Sequence, residues 1–311
     1  MLNRQHETQS FSMGEFVWFV GVVEDRMDPM KLGRVRVRCV GYHTDDKTLM
    51  PTDTLPWAVP MQDIRSAAIS GIGMSPTGLV EGSWVVGFFR DGHHAQDPII
   101  MGSIGGISQT KQPSKGFHDP NGQYPRHERE SDTNRLSRTE KINETIVQSK
   151  TESRELNVVR SLNDGNWDEP AVPYAGDYPY NHVRETESGH IEEWDDTPGA
   201  ERYQRYHRQG GFHEIHPDGK EVTKVVNDKY EVILGDEYIH VKGNVSITVN
   251  GNANVLVKGN SRLETGGNRD EYVRGNYRLL VGGRMQVRSG GQMFLDSPRI
   301  DLIRPGPGIS F

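Results

Sequence analysis

An all-β chain in three parts is what this sequence predicts: a small N-terminal β-barrel, a long polar linker, and a C-terminal intertwined trimeric triple-stranded β-helix. Three observations carry the prediction. Short apolar runs broken by turn residues fill residues 16–106, polar residues and prolines dominate 107–176, and glycine recurs at every eighth position from 235 to 291. Only 33% of the 311 residues are hydrophobic and 35 are glycine, too little apolar side chain for one large conventional core.

Residues 1–15 read as a polar N-terminal tail without the apolar stretch of a secretory signal. No later segment approaches the roughly eighteen apolar residues of a membrane-spanning helix, so synthesis in a cytosol is expected. Residues 16–106 then supply strands. Phe16–Glu24 is an apolar run ending in charge, Arg34–Val40 alternates basic and apolar residues, and Gly78–Phe89 and Pro98–Ser103 are apolar. Asp28-Pro29, Gly73, Gly82 and Asp91-Gly92 punctuate them as turns. A single cysteine, Cys39, excludes an internal disulfide framework and reads as a small core hydrophobe.

Residues 107–176 read as a polar linker with one candidate short helix, Leu136–Lys150, striped by Ile142, Ile146 and Val147. Residues 177–210 follow with short strand-like pieces, His190–Trp194 and Arg202–His207 among them.

The period of eight decides the C-terminal part. Gly235, Gly243, Gly251, Gly259, Gly267, Gly275, Gly283 and Gly291 keep one phase, and Asp236, Asn244, Asn252, Asn260, Asn268 and Asn276 follow six of them. Such dipeptides suit sharp corners that need positive backbone angles. Between corners the pattern alternates: Val245, Ile247 and Val249, then Ala253, Val255 and Val257, then Tyr277, Leu279 and Val281 share one face, with mostly polar residues between them. One such chain cannot cover its own apolar face and leaves its strand edges open. Three identical chains wound about one axis solve both problems, which predicts an obligate homotrimer. Each octad would advance the shaft by one strand spacing, about 4.8 Å.

A single-chain parallel β-helix or an adhesin-like passenger is the bland alternative, although such folds generally need longer coils. One octad departs from the pattern, because Arg269 and Glu271 occupy its inward positions. Those side chains would have to pair, hydrate or bind an ion near the axis, unless the register changes locally. Gly219 and Gly211 share the phase upstream, with Asn227 in the glycine place, so the shaft is expected over 211–298. Residues 299–311 form a tip segment whose Pro-Gly run cannot continue a ladder, leaving Pro305, Ile309 and Phe311 as candidate contacts for a cap.

The run Trp18–Arg38, together with Leu55–Trp57, Ser66–Gly73, Gly78–Gly92, Ile99–Gly106 and Gly116–Arg126, resembles the N-terminal OB-like barrel of the T-even-type myophage central spike. It is more distantly similar to type VI secretion spikes. Tyr178–Val222 resembles the collar that leads into that family's triple-stranded β-helix. The resemblance implies a virion protein of the tail baseplate, a trimer docked through its barrels on a trimeric tube hub. It also implies a PAAR-repeat tip protein, transient contact with the host outer membrane, and piercing of the envelope when the sheath contracts. T-even spikes carry a lysozyme domain between barrel and shaft. Here 107–176 is only about half the length such a fold needs, and Glu140, Glu144 and Asp164 lack the apolar cleft that would raise a catalytic acid.

No catalytic, cofactor-binding or metal-binding residue is therefore expected. A spike with peptidoglycan hydrolase activity, a type VI or extracellular injection spike, and a glycan-binding fibre are the competing functions. His93-His94 and His213-x-x-His216 are the tempting metal pairs and read as ordinary loop histidines, with His213 in the inward phase. Nucleic acid binding is not expected, since acidic residues outnumber basic ones 43 to 36 and no basic stripe exists. Trp57 and Trp84 stand in the sequence without the basic neighbours of a stacking platform and read as core.

Overall fold

The computed structural model describes residues 16–107, 131–138, 156–161 and 165–301. The chain divides into two units, 1–248 and 249–311. The described residues hold strands and two short 3₁₀ turns and no α-helix, an all-β architecture.

Strands β1 (Trp18–Asp25), β2 (Val35–Cys39), β3 (Trp57–Pro60), β4 (Trp84–Phe89) and β5 (Pro98–Ile104) close into a barrel of order β1-β2-β3-β5-β4. All neighbours are antiparallel except β3 and β5, whose parallel pairing of Val59 with Ile99 completes the closure. Alternation dictates the interior: Phe19, Val23, Val35, Val37, Cys39, Ala58, Val85, Phe89 and Ile100 point inward and are buried together. Four of the five strands follow the apolar runs of the sequence. β3 does not, because four residues flanked by prolines are too short to show an alternating signal. Gly87 stands at an irregularity in the β4–β5 register, where a Cβ would collide with the Ile99 carbonyl and the Phe19 ring.

Two ion pairs shape the loops, one of them fully buried. Arg38 and Glu24, both fully buried, form a two-pronged pair at 2.6 and 3.0 Å. The other Arg38 donors reach the carbonyls of Thr44 and Met50, so one guanidinium holds the long β2–β3 loop. Burial alone would raise the Glu24 carboxyl, but hydrogen bonds from Arg38 and Thr52 more than offset it and hold it below the usual range.

In the β1–β2 loop the Asp28 carboxylate accepts from the backbone of Met30, Leu32 and Arg34 and takes a forked pair from the Arg34 side chain. Arg34 and these N–H donors hold Asp28 well below the ordinary carboxylate range, against the opposing effect of burial. Its folded pKa is depressed, so its contribution is present at neutral pH and is lost as pH falls below the ordinary value of about 3.9. Asp28→Asn is expected to destabilise the barrel by roughly 1.5–3 kcal/mol at pH 7. The deficit should shrink towards pH 2, as read by thermal unfolding. A deficit independent of pH would remove the charge from the explanation.

Trp57 differs from its sequence-based expectation. It is half-buried on the barrel wall, with the Arg36 guanidinium 4.5 Å and that of Arg34 5.5 Å from its ring. The pattern hid this because β2 and β3 are far apart in sequence yet adjacent, with Arg36 opposite Trp57. Both cations are occupied internally, Arg34 by Asp28 and Arg36 by the carbonyls of Thr52 and Leu55.

Strands β6 (Val158–Arg160) and β7 (Asn166–Asp168) form a small hairpin. Five antiparallel strands follow as a meander: β8 (Asn181–Glu185), β9 (Ile191–Asp195), β10 (Arg202–Tyr206), β11 (Phe212–Ile215) and β12 (Glu221–Lys224). This collar sheet extends beyond residue 211 and takes in the first two octads as an intrachain hairpin, with Phe212 opposite Lys224. Of the candidate helix Leu136–Lys150, only 136–138 lie within the described residues, and they form a tight turn.

Candidate functional site

Three features could act on another molecule or hold the parts that do: the clip joining barrel to collar, the polar interior of the collar, and the octads. The clip is residues 131–138. Ser131 bridges Ile107, and Asp132 exchanges backbone and side-chain hydrogen bonds with Gly106, both at 2.9 Å, at the end of the barrel. Four residues on, Leu136 is buried in the collar core against Ile191, Tyr206 and Phe212. Its carbonyl accepts from the Tyr174 hydroxyl at 2.6 Å, and the Ser137 hydroxyl donates to the Asn181 carbonyl. A forked ion pair from Arg26 of the barrel to Glu187 of the collar reinforces the junction.

Beneath the clip the inward face of the collar is largely polar. Arg202 is fully buried, with its guanidinium 2.8 Å from Glu193 and 2.8 Å from Glu214, themselves fully buried. It also donates to Gln204, and the Tyr174 ring covers it at 5.2 Å. Asn181 donates to Glu193, and His216 shares a hydrogen bond with Glu214 at 3.0 Å. Burial pushes the Glu193 carboxyl up, with Asp195 nearby adding to the rise, even though Arg202 and Asn181 pull it down. The network was not legible as a site. Its only signal is polar residues in the inward phase, at 193, 195, 202, 204 and 214, where a half-buried strand would carry apolar ones.

The histidines read as loop residues divide across the sheet. His213 lies on the outer face beside Glu221 at 3.0 Å, whereas His216 is buried with Glu214. His93 and His94 sit in an exposed 3₁₀ turn. Among the described residues no three His, Cys, Asp or Glu side chains converge as metal ligands. Glu140, Glu144 and Asp164 lie outside the described residues, as do the tip contacts Pro305, Ile309 and Phe311.

From residue 225 onward the period of eight appears in the backbone itself. The chain bends at 226–227, 234–235, 242–243, 250–251, 258–259, 266–267, 274–275, 282–283 and 290–291, with six unbent residues between bends. Each of the eight phased glycines is the second residue of a bend. Their expected conformation is corrected: none adopts a positive φ, unlike Gly189, Gly199, Gly210 and Gly219 in the collar turns. The corner is wide enough for an ordinary backbone, and within one chain a Cβ at these positions would meet nothing within 4 Å. Their lack of a side chain matters only where something from outside the chain comes close.

The apolar residues between bends have no cover within the chain. Ile247 is 82% exposed, Val255 88%, Leu263 68% and Tyr277 65%. In the exceptional octad Arg269 and Glu271 pair with each other at 2.8 Å on the same side of the backbone.

The family described as the Gp5 N-terminal OB domain matches residues 41–187. Protein Gp5 of Vibrio phage KVP40 is 45% identical over 251 residues, covering 70% of this chain and 59% of that protein. The pre-baseplate central spike protein Gp5 of Enterobacteria phage T4 is 54% identical over 116 residues, covering 35% of this chain and 20% of its own length. The chain thus spans less than two thirds of either relative.

Proposed function

We propose that the chain, which is similar to the phage Gp5 proteins and is matched over residues 41–187 by the family of their N-terminal OB domain, is the structural central spike of a contractile tail baseplate. Three copies wind their octads about a common axis, and the OB barrel attaches the spike to a trimeric hub at the end of the tail tube. A PAAR-repeat protein caps the far end through Pro305, Ile309 and Phe311. On sheath contraction the spike is driven through the host outer envelope without catalysis of its own.

The observation that carries this reading is the octad region, regular in its backbone bends yet wholly exposed on its apolar face. A periodic apolar ladder of that kind is stable in water only when copies of itself cover it. Glycine at the corners fits the same picture, since three backbones must pass one another there. The collar's intrachain hairpins fit it too, as the place where each chain stops pairing with itself.

Cryo-electron microscopy of tails from a phage that encodes the chain tests the assignment. Threefold density that fits the barrel and collar is expected at the axial tip of the tube. Finding the chain elsewhere in the particle, or not in it, would overturn the reading. Clearing on a peptidoglycan zymogram by the purified full chain would overturn the non-enzymatic part alone.

A further inference from the structure

We propose that the β3–β4 loop of the barrel is a second self-contact of the assembly, an apolar tongue that packs against its own copies about the same threefold axis. The inference rests on the trimer reading above and concerns residues that lie outside the octads.

The tongue has a built shape. Residues 66–77 fold back on themselves through a bridge between Ile69 and Ile72. Ala68 and Ser70 adopt left-handed φ of 49° and 52°, conformations that are strained for non-glycine residues. At its base the Ser66 hydroxyl donates to Gln62 at 2.7 Å, and Gly73 lies so close that a Cβ there would fall 2.8 Å from the Ser66 Cα. Gly33 of the β1–β2 loop presses on the other side, where a Cβ would stand 2.6 Å from Pro76. Both loops brace this folded-back conformation and hold its apolar side chains in place.

What the tongue presents is apolar and unprotected. Ile69 is 64% exposed, Ile72 66% and Met74 61%. Water covers these side chains in an isolated chain, an unfavourable arrangement for a rigid loop.

The charge pattern selects the occupant. Between Arg65 and Glu81 no residue is charged, in a chain whose residues are 25% charged. A contact on a threefold axis repeats every side chain three times at close range, so any charge there meets two of its own sign. A contact with a different protein carries no such restriction, because no side chain there meets copies of itself. The small residues Ala67, Ala68, Ser70 and Gly71 also suit three backbones approaching one another. Continuity supports the same occupant: Arg26 on the β1–β2 loop ties this end of the barrel to Glu187 of the collar, and the collar runs directly into the octads.

Thiol protection in the full-length protein tests the proposal. Cys39 provides a silent background, being fully buried with its thiol pushed up to about 12 by desolvation. Ile72→Cys, and Ile69→Cys as an independent second variant, are treated with a maleimide under native conditions beside Asp45→Cys on an exposed charged loop. The native mass is recorded for each. With three chains present and no other protein added, labelling of both tongue variants is expected to be at least about tenfold slower than the control and to recover on denaturation. Labelling as fast as the control in a three-chain species overturns the tongue contact and leaves the trimer standing. A single-chain mass for the parent protein removes the trimer reading and the tongue contact with it.

Discussion

Replacing Val255 and Val257 with aspartate in one octad is expected to abolish the trimer, shifting the native mass from three chains to the single-chain 35.0 kDa. Both residues belong to the apolar phase and have no cover within the chain, at 88% and 51% exposed. If copies bury them, each valine contributes about 1.5–3 kcal/mol per chain. The double substitution forfeits that contribution at six positions and gathers like charges about one axis. Those carboxylates would either stay ionised at a large desolvation cost or take up protons, and both outcomes oppose assembly at neutral pH. Asn254→Asp, on the outward phase of the same octad, supplies the control and should leave the mass unchanged. A double variant as trimeric and as resistant to detergent as its parent would show that the octads do not hold the copies together.

The second large effect is expected at Arg202. Arg202→Ala should destabilise the collar by about 3–5 kcal/mol, because it leaves Glu193 and Glu214 fully buried with their shared cation gone. Glu193 is already raised above the ordinary carboxylate range in the folded protein. A carboxyl with a raised folded pKa binds its proton more tightly when folded, so its contribution is present below its unfolded value and is lost as pH rises. Without Arg202 that rise is larger, and the deficit of the variant should be greatest at neutral pH and narrow on acidification. Adding Glu193→Gln should recover part of the loss, since a neutral amide no longer needs the guanidinium. Thermal unfolding of the collar at several pH values reads both outcomes. A deficit that neither narrows with acid nor responds to Glu193→Gln would mean that Arg202 acts by packing alone.

Much of the barrel was legible because its strands are half-buried and alternate. β1, β2, β4 and β5 fall within apolar runs, whereas β3 is too short to carry a pattern. The octads were legible for a different reason: eight identical constraints leave eight identical marks. The sequence misled about the cause of the glycines, since Gly-Asn pairs suit positive φ in tight turns, yet these wide bends keep ordinary angles. What stayed hidden depends on contacts between distant residues. Leu136 reads as the start of a helical stripe and instead plugs the collar, because its neighbours are fifty or more positions away in Ile191, Tyr206 and Phe212. Arg202 looks like a solvated charge until the meander sets Glu193 and Glu214 on the strands to either side of it. Trp57 looks isolated until β2 brings Arg36 across from it.

The bridge between Ile107 and Ser131 gives the chain a splice point. The segment 108–130 leaves and returns through two paired residues, so its ends are already held together whatever lies between them. Lengthening a segment closed in this way costs only about 0.6 kcal/mol for each doubling, far less than the contacts that hold barrel to collar. A folded passenger inserted there would leave the pairing of Ile107 with Ser131 in place. Gene fusion at this position offers a means of attaching cargo to the protein while leaving the barrel, the clip and the octads to fold as they do now.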